Sequence, residues 1–380
     1  MSTNPLLTLK ECGQSLWMDY LSRSIIETGE LKQRIDNQGL AGITSNPSIF
    51  EKSIRTDERY QPDIQQGIQN EWTAEQIYQS LAFEDVRRAC DELRPVYDAT
   101  DGADGYVSIE VSPHLARDIA GTMAEARRFF ATVDRDNVMI KIPGTLEGLG
   151  AIEQAITEGI NVNVTLLFSV EMYTQAAWAY IRGLEKRAEL GRPINRIASV
   201  ASFFLSRIDT KVDDRLAARL EQADDTLKSR LETLRGRIAI ANAKLAYQRF
   251  QDLFGSERWQ ALADQGARVQ RLLWASTSTK NPDYRDVMYV EELVGQHTIN
   301  TMPLETIDAV ADHGNIQPDQ VLREVDLARQ QIESLADPAI DINLNQVMDE
   351  LLEEGIDKFV KPYDALLQSI QEKMEQLTPA

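Results

Sequence analysis

The chain has 380 residues, 43% of them hydrophobic, with a formal net charge of −20 and a pI near 4.7. That length and apolar content are enough for a large buried core. The negative charge excludes nucleic acid and an anionic membrane surface as partners, and any small anionic ligand would need cations supplied locally. No run reaches the roughly 18 apolar residues of a membrane span, and residues 1–10 lack the basic, then apolar, pattern of a targeting signal, so a cytoplasmic protein is expected. Cys12 and Cys90 have no redox or metal spacing and read as free thiols. His114, His297 and His313 each stand more than four residues from another histidine or a cysteine, so neither a metal nor any other cofactor is expected.

In chain order, a strand at 15–18 leads into Asp19, which shares a parity with Ser15. A strand at 41–44 ends in Thr44, on the parity of Asn46 just beyond it. Residues 50–105 carry two helical segments, with Thr73 and Gln76 at capping-box spacing. In the strand at 106–111, Ser108 and Glu110 take one face and Val107, Ile109 and Val111 the other. Ser112-Pro113 then has the form of an N-cap followed by proline in the first helical position. In the strand at 138–142, Lys141 shares a face with Met139. Asn163 and Thr165 share one face of the strand at 162–167. Ser169 caps a helix that runs to about Leu190, where Gly191 and Pro193 stop it. A strand at 197–204 contains Ser202 on the parity of Val200. A charged helical stretch at 209–254 precedes strands at 271–276 and 297–302. A helical tail covers about 317–380, with turn signals at Asp337-Pro338 and Gly355.

Eight strands alternating with helices predict a parallel sheet closed into an (α/β)8 barrel. With no repeat and no low-complexity linker, residues 1–380 read as one elaborated domain.

A strand covered on both faces should be apolar throughout, and these strands depart from that in a patterned way. A single Ser or Thr in a strand is usually structural, and an Asn after a strand is usually a turn residue. A glutamate among aliphatics is rarer, because an unpaired buried carboxylate is costly. Lys141, flanked by isoleucines, is the sharpest case. The polar residues fall late in their strands, which gathers them at the carboxyl end of a barrel lumen, where catalytic sites of this architecture lie.

A lysine in a low-dielectric pocket can hold a fraction of neutral amine, which attacks a ketone to form an imine. That chemistry needs an acid/base to expel water, a base for carbon–carbon cleavage and donors for hydroxyl groups. Glu110 and Asp19 suit the first two tasks, and Asn46, Asn163, Thr165 and Ser202 the third. Arg207 and Lys280 could hold a phosphate.

At these residues the sequence resembles transaldolase. Gly42-Ile43-Thr44-Ser45-Asn46-Pro47-Ser48-Ile49 is similar to the family's first signature, and Ile140-Lys141-Ile142-Pro143-Gly144-Thr145 to its Schiff-base strand. Asn163-Val164-Thr165-Leu166-Leu167-Phe168-Ser169 and residues 202–207 resemble the strands that follow, and the match runs from residue 19 to about 303. The resemblance implies a class I aldolase barrel that moves a dihydroxyacetone unit between sugar phosphates in the pentose phosphate pathway. It implies Lys141 as nucleophile, Asp19 as acid/base for cleavage, Glu110 acting through a water, and Thr165 holding that water. Asn46, Asn163, Ser202 and Ser276 match substrate positions, and Arg207 a phosphate ligand.

The chain departs from the family where many members carry an arginine soon after the Ala275-Ser276 pair. Lys280 is the substitute here, with no metal and no cofactor implied. Phe203-Phe204-Leu205-Ser206 also differs from the familiar proline- and glycine-containing version. The added helices resemble the longer bacterial-type subfamily, and the expected assembly is a monomer or a homodimer. A fructose-6-phosphate aldolase is the nearest rival, but those relatives are shorter and carry glutamine where Glu110 stands. A silent sugar-phosphate-binding protein would not need Lys141, Glu110 and Asp19 together.

Overall fold

The eight apolar runs form eight parallel strands: β1 (Gln14–Asp19), β2 (Leu40–Thr44), β3 (Tyr106–Glu110), β4 (Val138–Pro143), β5 (Val162–Leu167), β6 (Ser199–Phe204), β7 (Arg271–Ala275) and β8 (Thr298–Met302). Each pairs with the next and β8 returns to β1, closing the barrel. The computed structural model describes residues 4–377. Residues 1–3, at the head of the segment read for targeting, and 378–380, at the end of the expected tail, lie outside the described residues. No helix of the described residues is long and apolar enough to cross a membrane.

The strand limits shift for local reasons. Ser276 and His297 both adopt φ of +57°, outside the extended region, and β7 stops before the first while β8 begins after the second. Between β2 and β3 there are three α-helices rather than two, Pro47–Thr56, Gln61–Gln69 and Ala74–Ala99, the last opening with the expected capping box at Thr73 and Gln76. Ser112-Pro113 does not start the next α-helix. Ser112 caps nothing, Pro113–Leu115 is a single 3₁₀ turn, and the helix Ile119–Val133 begins where Asp118 accepts from the Gly121 N–H. Ser169 caps as read, and its helix runs Val170–Glu189. The charged stretch at 209–254 divides into Ser206–Leu220, Asp225–Leu234 and Ile238–Phe254, because Asp224 caps a new helix and Gly236 turns at φ of +65°. Gly355 is not a turn. It lies inside the final helix, Leu344–Leu377.

Strand alternation sends one set of side chains into the lumen, and these must fill it. At the amino end Trp17 lies against Gly42, where any side chain would collide with the indole. Trp17 Nε1 donates to Asp104 at 2.7 Å, and Arg271 donates to Ser15 Oγ at 2.6 Å and to the Thr298 carbonyl at 2.7 Å. Ser15 therefore shares the face of Asp19 but belongs to the opposite, plugged end. Parity alone does not say which end of the barrel a residue serves.

The final helix packs against Pro47–Thr56, Gln61–Gln69, Ala74–Ala99, Ser206–Leu220 and β5. Its buried stripe, Leu351, Gly355, Phe359, Tyr363, Leu366 and Ile370, recurs every three or four residues, the period of one helix face. Gly355 permits close approach, since a Cβ there would come within 3.0 Å of Leu166. Leu166 meets it from a register shift in β5, at φ of +59°. Arg215 and Lys211 pair with Glu350 at 2.7 and 2.9 Å, and Lys373 donates to the Ile54 carbonyl at 2.6 Å.

Replacing Gly42 by valine should overpack the floor of the lumen and cost about 1–3 kcal/mol. A lower urea midpoint at unchanged slope would register that loss; an unchanged midpoint would mean that Trp17 can move aside.

Candidate active site

Strand register builds the centre of the site. Glu110 on β3 pairs with Lys141 on β4, and Lys141 pairs with Asn163 on β5, so three lumen-facing side chains stand side by side. Lys141 Nζ lies 3.3 Å from Glu110 Oε2 and donates to the Ser45 carbonyl at 3.2 Å. Both charged side chains are nearly out of solvent, with 6% and 4% exposure. The pair is a charge contact only, since neither Glu110 oxygen has a hydrogen-bond partner. Thr165 Oγ1 is likewise buried without a partner.

A row of hydrogen bonds supports Lys141 from the neighbouring strands. Asn163 donates to Ser108 Oγ at 3.0 Å and accepts from Ser202 Oγ at 2.7 Å. Ser45 donates to the Ser108 carbonyl at 2.8 Å, tying the end of β2 to β3. Asp19, the last residue of β1, pairs in register with Thr44 and accepts from its hydroxyl at 2.8 Å. Thr44 in turn lies 2.8 Å from Thr301 on β8.

Burial sets the electrostatics. It pushes the Asp19 carboxyl up from its ordinary value, against the pull of the Lys141 charge and the Thr44 hydrogen bond. It pushes Glu110 up as well, opposed by Lys141 and reinforced by the like charge of Asp19. The Arg207 guanidinium is pulled down by burial, while Asp19, Glu354 and Glu110 act the other way.

The cations lie along one side of the mouth. Arg207 occupies the first turn of the helix Ser206–Leu220, with its guanidinium 5.1 Å over the Phe204 ring and Nη1 buried without a partner. The Ser206 N–H donates to the Ser276 carbonyl at 3.1 Å and the two hydroxyls lie 2.8 Å apart, which joins that helix start to the end of β7. Lys280, further along the same loop, is exposed and donates to Ser278 at 2.8 Å. Asn46 caps the helix Pro47–Thr56, accepting from the Ile49 N–H at 3.2 Å, so its turn role and its place at the mouth coexist.

One cavity of about 280 Å³ brings together Asp19, Asn46, Lys141, Thr165, Ser202, Arg207, Ser276 and Lys280. Glu110 and Asn163 stand beside it rather than on its wall. Sequence reasoning did not assign Thr301, Glu305, Phe204 or Phe359, all of which line the same space. Thr301 could have been found, because it sits late in β8 on the alternate face. Phe359 carries no such signal. Among the described residues, no group of three or more His, Cys, Asp or Glu side chains is placed to hold a metal ion.

A deeply buried amine beside a carboxylate, with a second carboxylate facing the same cavity, can support carbonyl addition with proton transfer on two sides. Comparison with known proteins points the same way. The profile of the family described as Transaldolase/Fructose-6-phosphate aldolase matches residues 16–370. The chain is 54% identical to a transaldolase of Trichodesmium erythraeum (strain IMS101) and 56% identical to a transaldolase 2 of Nostoc punctiforme (strain ATCC 29133 / PCC 73102), in each case over 100% of both chains. It is 45% identical to a transaldolase of Thermobifida fusca (strain YX) over 98% of both. Matched along nearly its whole length to named enzymes, the chain belongs to the transaldolase/fructose-6-phosphate aldolase family.

Proposed function

We propose that the enzyme transfers a dihydroxyacetone unit from sedoheptulose 7-phosphate to glyceraldehyde 3-phosphate, giving erythrose 4-phosphate and fructose 6-phosphate, through an imine on Lys141. This is a step of the non-oxidative pentose phosphate pathway, carried out in the cytoplasm. The observation that carries the reading is the Lys141 amine, buried at the carboxyl end of the barrel 3.3 Å from Glu110 and opening onto the cavity.

Lys141 Nζ adds to the ketose carbonyl, and the carbinolamine loses water to give an iminium. Glu110 supplies and takes back the proton through a water held by Thr165. The unpartnered Glu110 oxygens and Thr165 hydroxyl support this assignment, since a bridging water would satisfy them. The iminium draws electrons from the adjoining carbon–carbon bond. Asp19 takes the proton from the β-hydroxyl, the bond breaks, and the aldose leaves. The three-carbon enamine then attacks the acceptor aldehyde, and Asp19 returns the proton to the new alkoxide. Asn46, Ser202 and Ser276 offer hydrogen bonds to hydroxyl groups from the cavity wall, and Asn163 acts by orienting Ser202.

We assign the substrate phosphate to Arg207 and Lys280, which line one side of the cavity. A guanidinium nitrogen buried without a partner is costly unless a ligand satisfies it. The start of the helix Ser206–Leu220 adds backbone polarity suited to an anion.

Borohydride with fructose 6-phosphate should add a reduced three-carbon mass to the peptide bearing Lys141, and labelling elsewhere would remove the mechanism. Asp19→Asn should stall at an uncleaved six-carbon adduct. Glu110→Gln should slow trapping altogether, because an amide cannot carry a proton at neutral pH.

Both carboxyls are raised by burial, so the protonated, inactive form of Asp19 should persist to a pH above the ordinary carboxylate range. Transfer measured against pH should lose rate on the acid side earlier than a surface carboxylate would allow, as one limb belonging to the coupled set. Asp19→Asn should move that limb toward lower pH in the residual activity, because the like charge that helps to raise Glu110 is then gone.

Arg207→Ala should raise KM for phosphorylated donors by about tenfold or more, the scale of a charge-assisted bidentate contact. Unphosphorylated fructose should be used almost as before. Equal losses on both donors would show that Arg207 serves only to hold the barrel mouth together.

A further inference from the structure

Phe359 sets its ring over the Lys141 amine, although it lies far along the chain. Its ring centroid is 5.2 Å from Lys141 Nζ, its side chain is buried, and it forms part of the cavity wall. It is carried there by the final helix, one turn after Gly355, whose missing side chain lets that helix settle against Leu166. The nitrogen of Lys141 therefore has two unlike surroundings. The Ser45 carbonyl and the Glu110 carboxylate give it polar contacts at 3.2 and 3.3 Å, and Phe359 gives it an aromatic ring.

We propose that Phe359 is a specificity-determining residue that keeps water from the lysine-bound three-carbon intermediate, so that it waits for an aldehyde. The proposal rests on the reading of Lys141 as the imine-forming residue.

After cleavage the enamine on Lys141 has two fates. In transfer, its nucleophilic carbon attacks the acceptor aldehyde, a carbon–carbon bond forms, and the alkoxide takes the proton held by Asp19. In hydrolysis, a water at the enamine carbon gives it a proton and recovers one from Asp19, and a second water then adds to the resulting iminium carbon while Glu110 takes a proton from it. Glu110 then passes its proton to nitrogen and takes the hydroxyl proton as the carbon–nitrogen bond breaks, releasing dihydroxyacetone. The water taken up balances the one expelled when the imine formed, and Lys141 and both carboxyls return to their starting states. Release from Lys141 takes up one water at the imine carbon in both routes, so they differ in what reaches the enamine carbon first, an aldehyde or a water.

The Glu110 and Thr165 side must admit water, because imine formation expels one there. The enamine carbon lies toward the cavity lined by Phe359, and that is the approach a dry wall can close. An aromatic face gives water no hydrogen bond, while its quadrupole favours the cationic nitrogen and accepts no proton from it. Phe359 thus holds the charged intermediate without helping to hydrolyse it.

The test compares the unchanged enzyme with Phe359→Ala, Phe359→Gln and Phe359→Leu. Release of free dihydroxyacetone from fructose 6-phosphate alone is measured beside transfer to erythrose 4-phosphate. Phe359→Ala and Phe359→Gln should raise the ratio of release to transfer by about tenfold. Phe359→Leu, still apolar, should leave that ratio within about twofold of the unchanged enzyme, on the same scale. Using both Ala and Gln keeps the test valid if one variant fails to fold. A ratio that stays constant while both rates fall together would overturn the inference, as would a rise in Leu as large as in Gln. Borohydride trapping of the unchanged enzyme separates the two ideas. Trapping on Lys141 with an unmoved ratio overturns the role of Phe359 alone, whereas no trapping overturns the imine and this inference together.

Discussion

Lys141 and Glu110 face each other across two registered strands, 3.3 Å apart and almost without solvent. Opposite charges removed from water recover the loss only through close contact and further polar partners. The surrounding architecture supplies both. Closure of the barrel fixes the register that puts the pair side by side, and the Ser45 carbonyl at the end of β2 takes the ammonium from a third strand. Asn163, Ser108 and Ser202 form a hydrogen-bonded row on the flanking strands, so the polar layer is braced from within rather than by solvent. Below it, Trp17, Asp104 and Arg271 plug the amino end, which leaves the carboxyl end as the way in.

The final helix completes that entrance. A barrel with an open mouth would leave Lys141 under bulk water, where a nearby aromatic ring and a nearby carboxylate both count for little. The helix lowers the local dielectric by covering the mouth, and Gly355 sets how low it can sit. Its ion pairs with Lys211 and Arg215 lie partly exposed and add little stability by themselves. They lie on the flank that meets Ser206–Leu220, while Phe359 turns inward to the cavity. The overall charge of −20 is thus compatible with an anionic substrate, because Arg207 and Lys280 gather at one side of a mouth that is otherwise screened.

Much of this could be read from the chain because it is written in local alternation. A strand period of two shows Lys141, Glu110, Asn163 and Thr165 as polar exceptions in aliphatic runs, and a barrel of eight such strands brings them together without further information. Arg207 was legible as a cation just beyond a strand, whereas Ser276 came only from the resemblance to the family. Alternation does not encode which end of the lumen a residue serves, so Ser15 was grouped with Asp19 although it belongs to the plug. Ser112-Pro113 has the form of a helix start, but Asp118 provides the cap actually used. Gly355 looked like a break because glycine disfavours helix, yet the close packing of the helix on Leu166 outweighs that preference. Phe359 had no sequence signature at all. Its position depends on where a distant helix docks, and docking is decided by the whole surface of the barrel mouth.

The contact between Leu166 and Gly355 also bears on how the protein is made. Translation delivers β5 long before the final helix, and the barrel strands end at Met302. The nascent chain can therefore close its ring of strands while the segment from 344 onward is still within or near the ribosome. In that interval the polar layer lies beneath an uncovered mouth, and Leu166 exposes apolar surface with nothing to receive it. Arrival of the last helix buries that surface and brings Phe359 over Lys141 in the same movement. Covering of the polar layer and burial of that apolar surface are thus one event, the docking of the final helix.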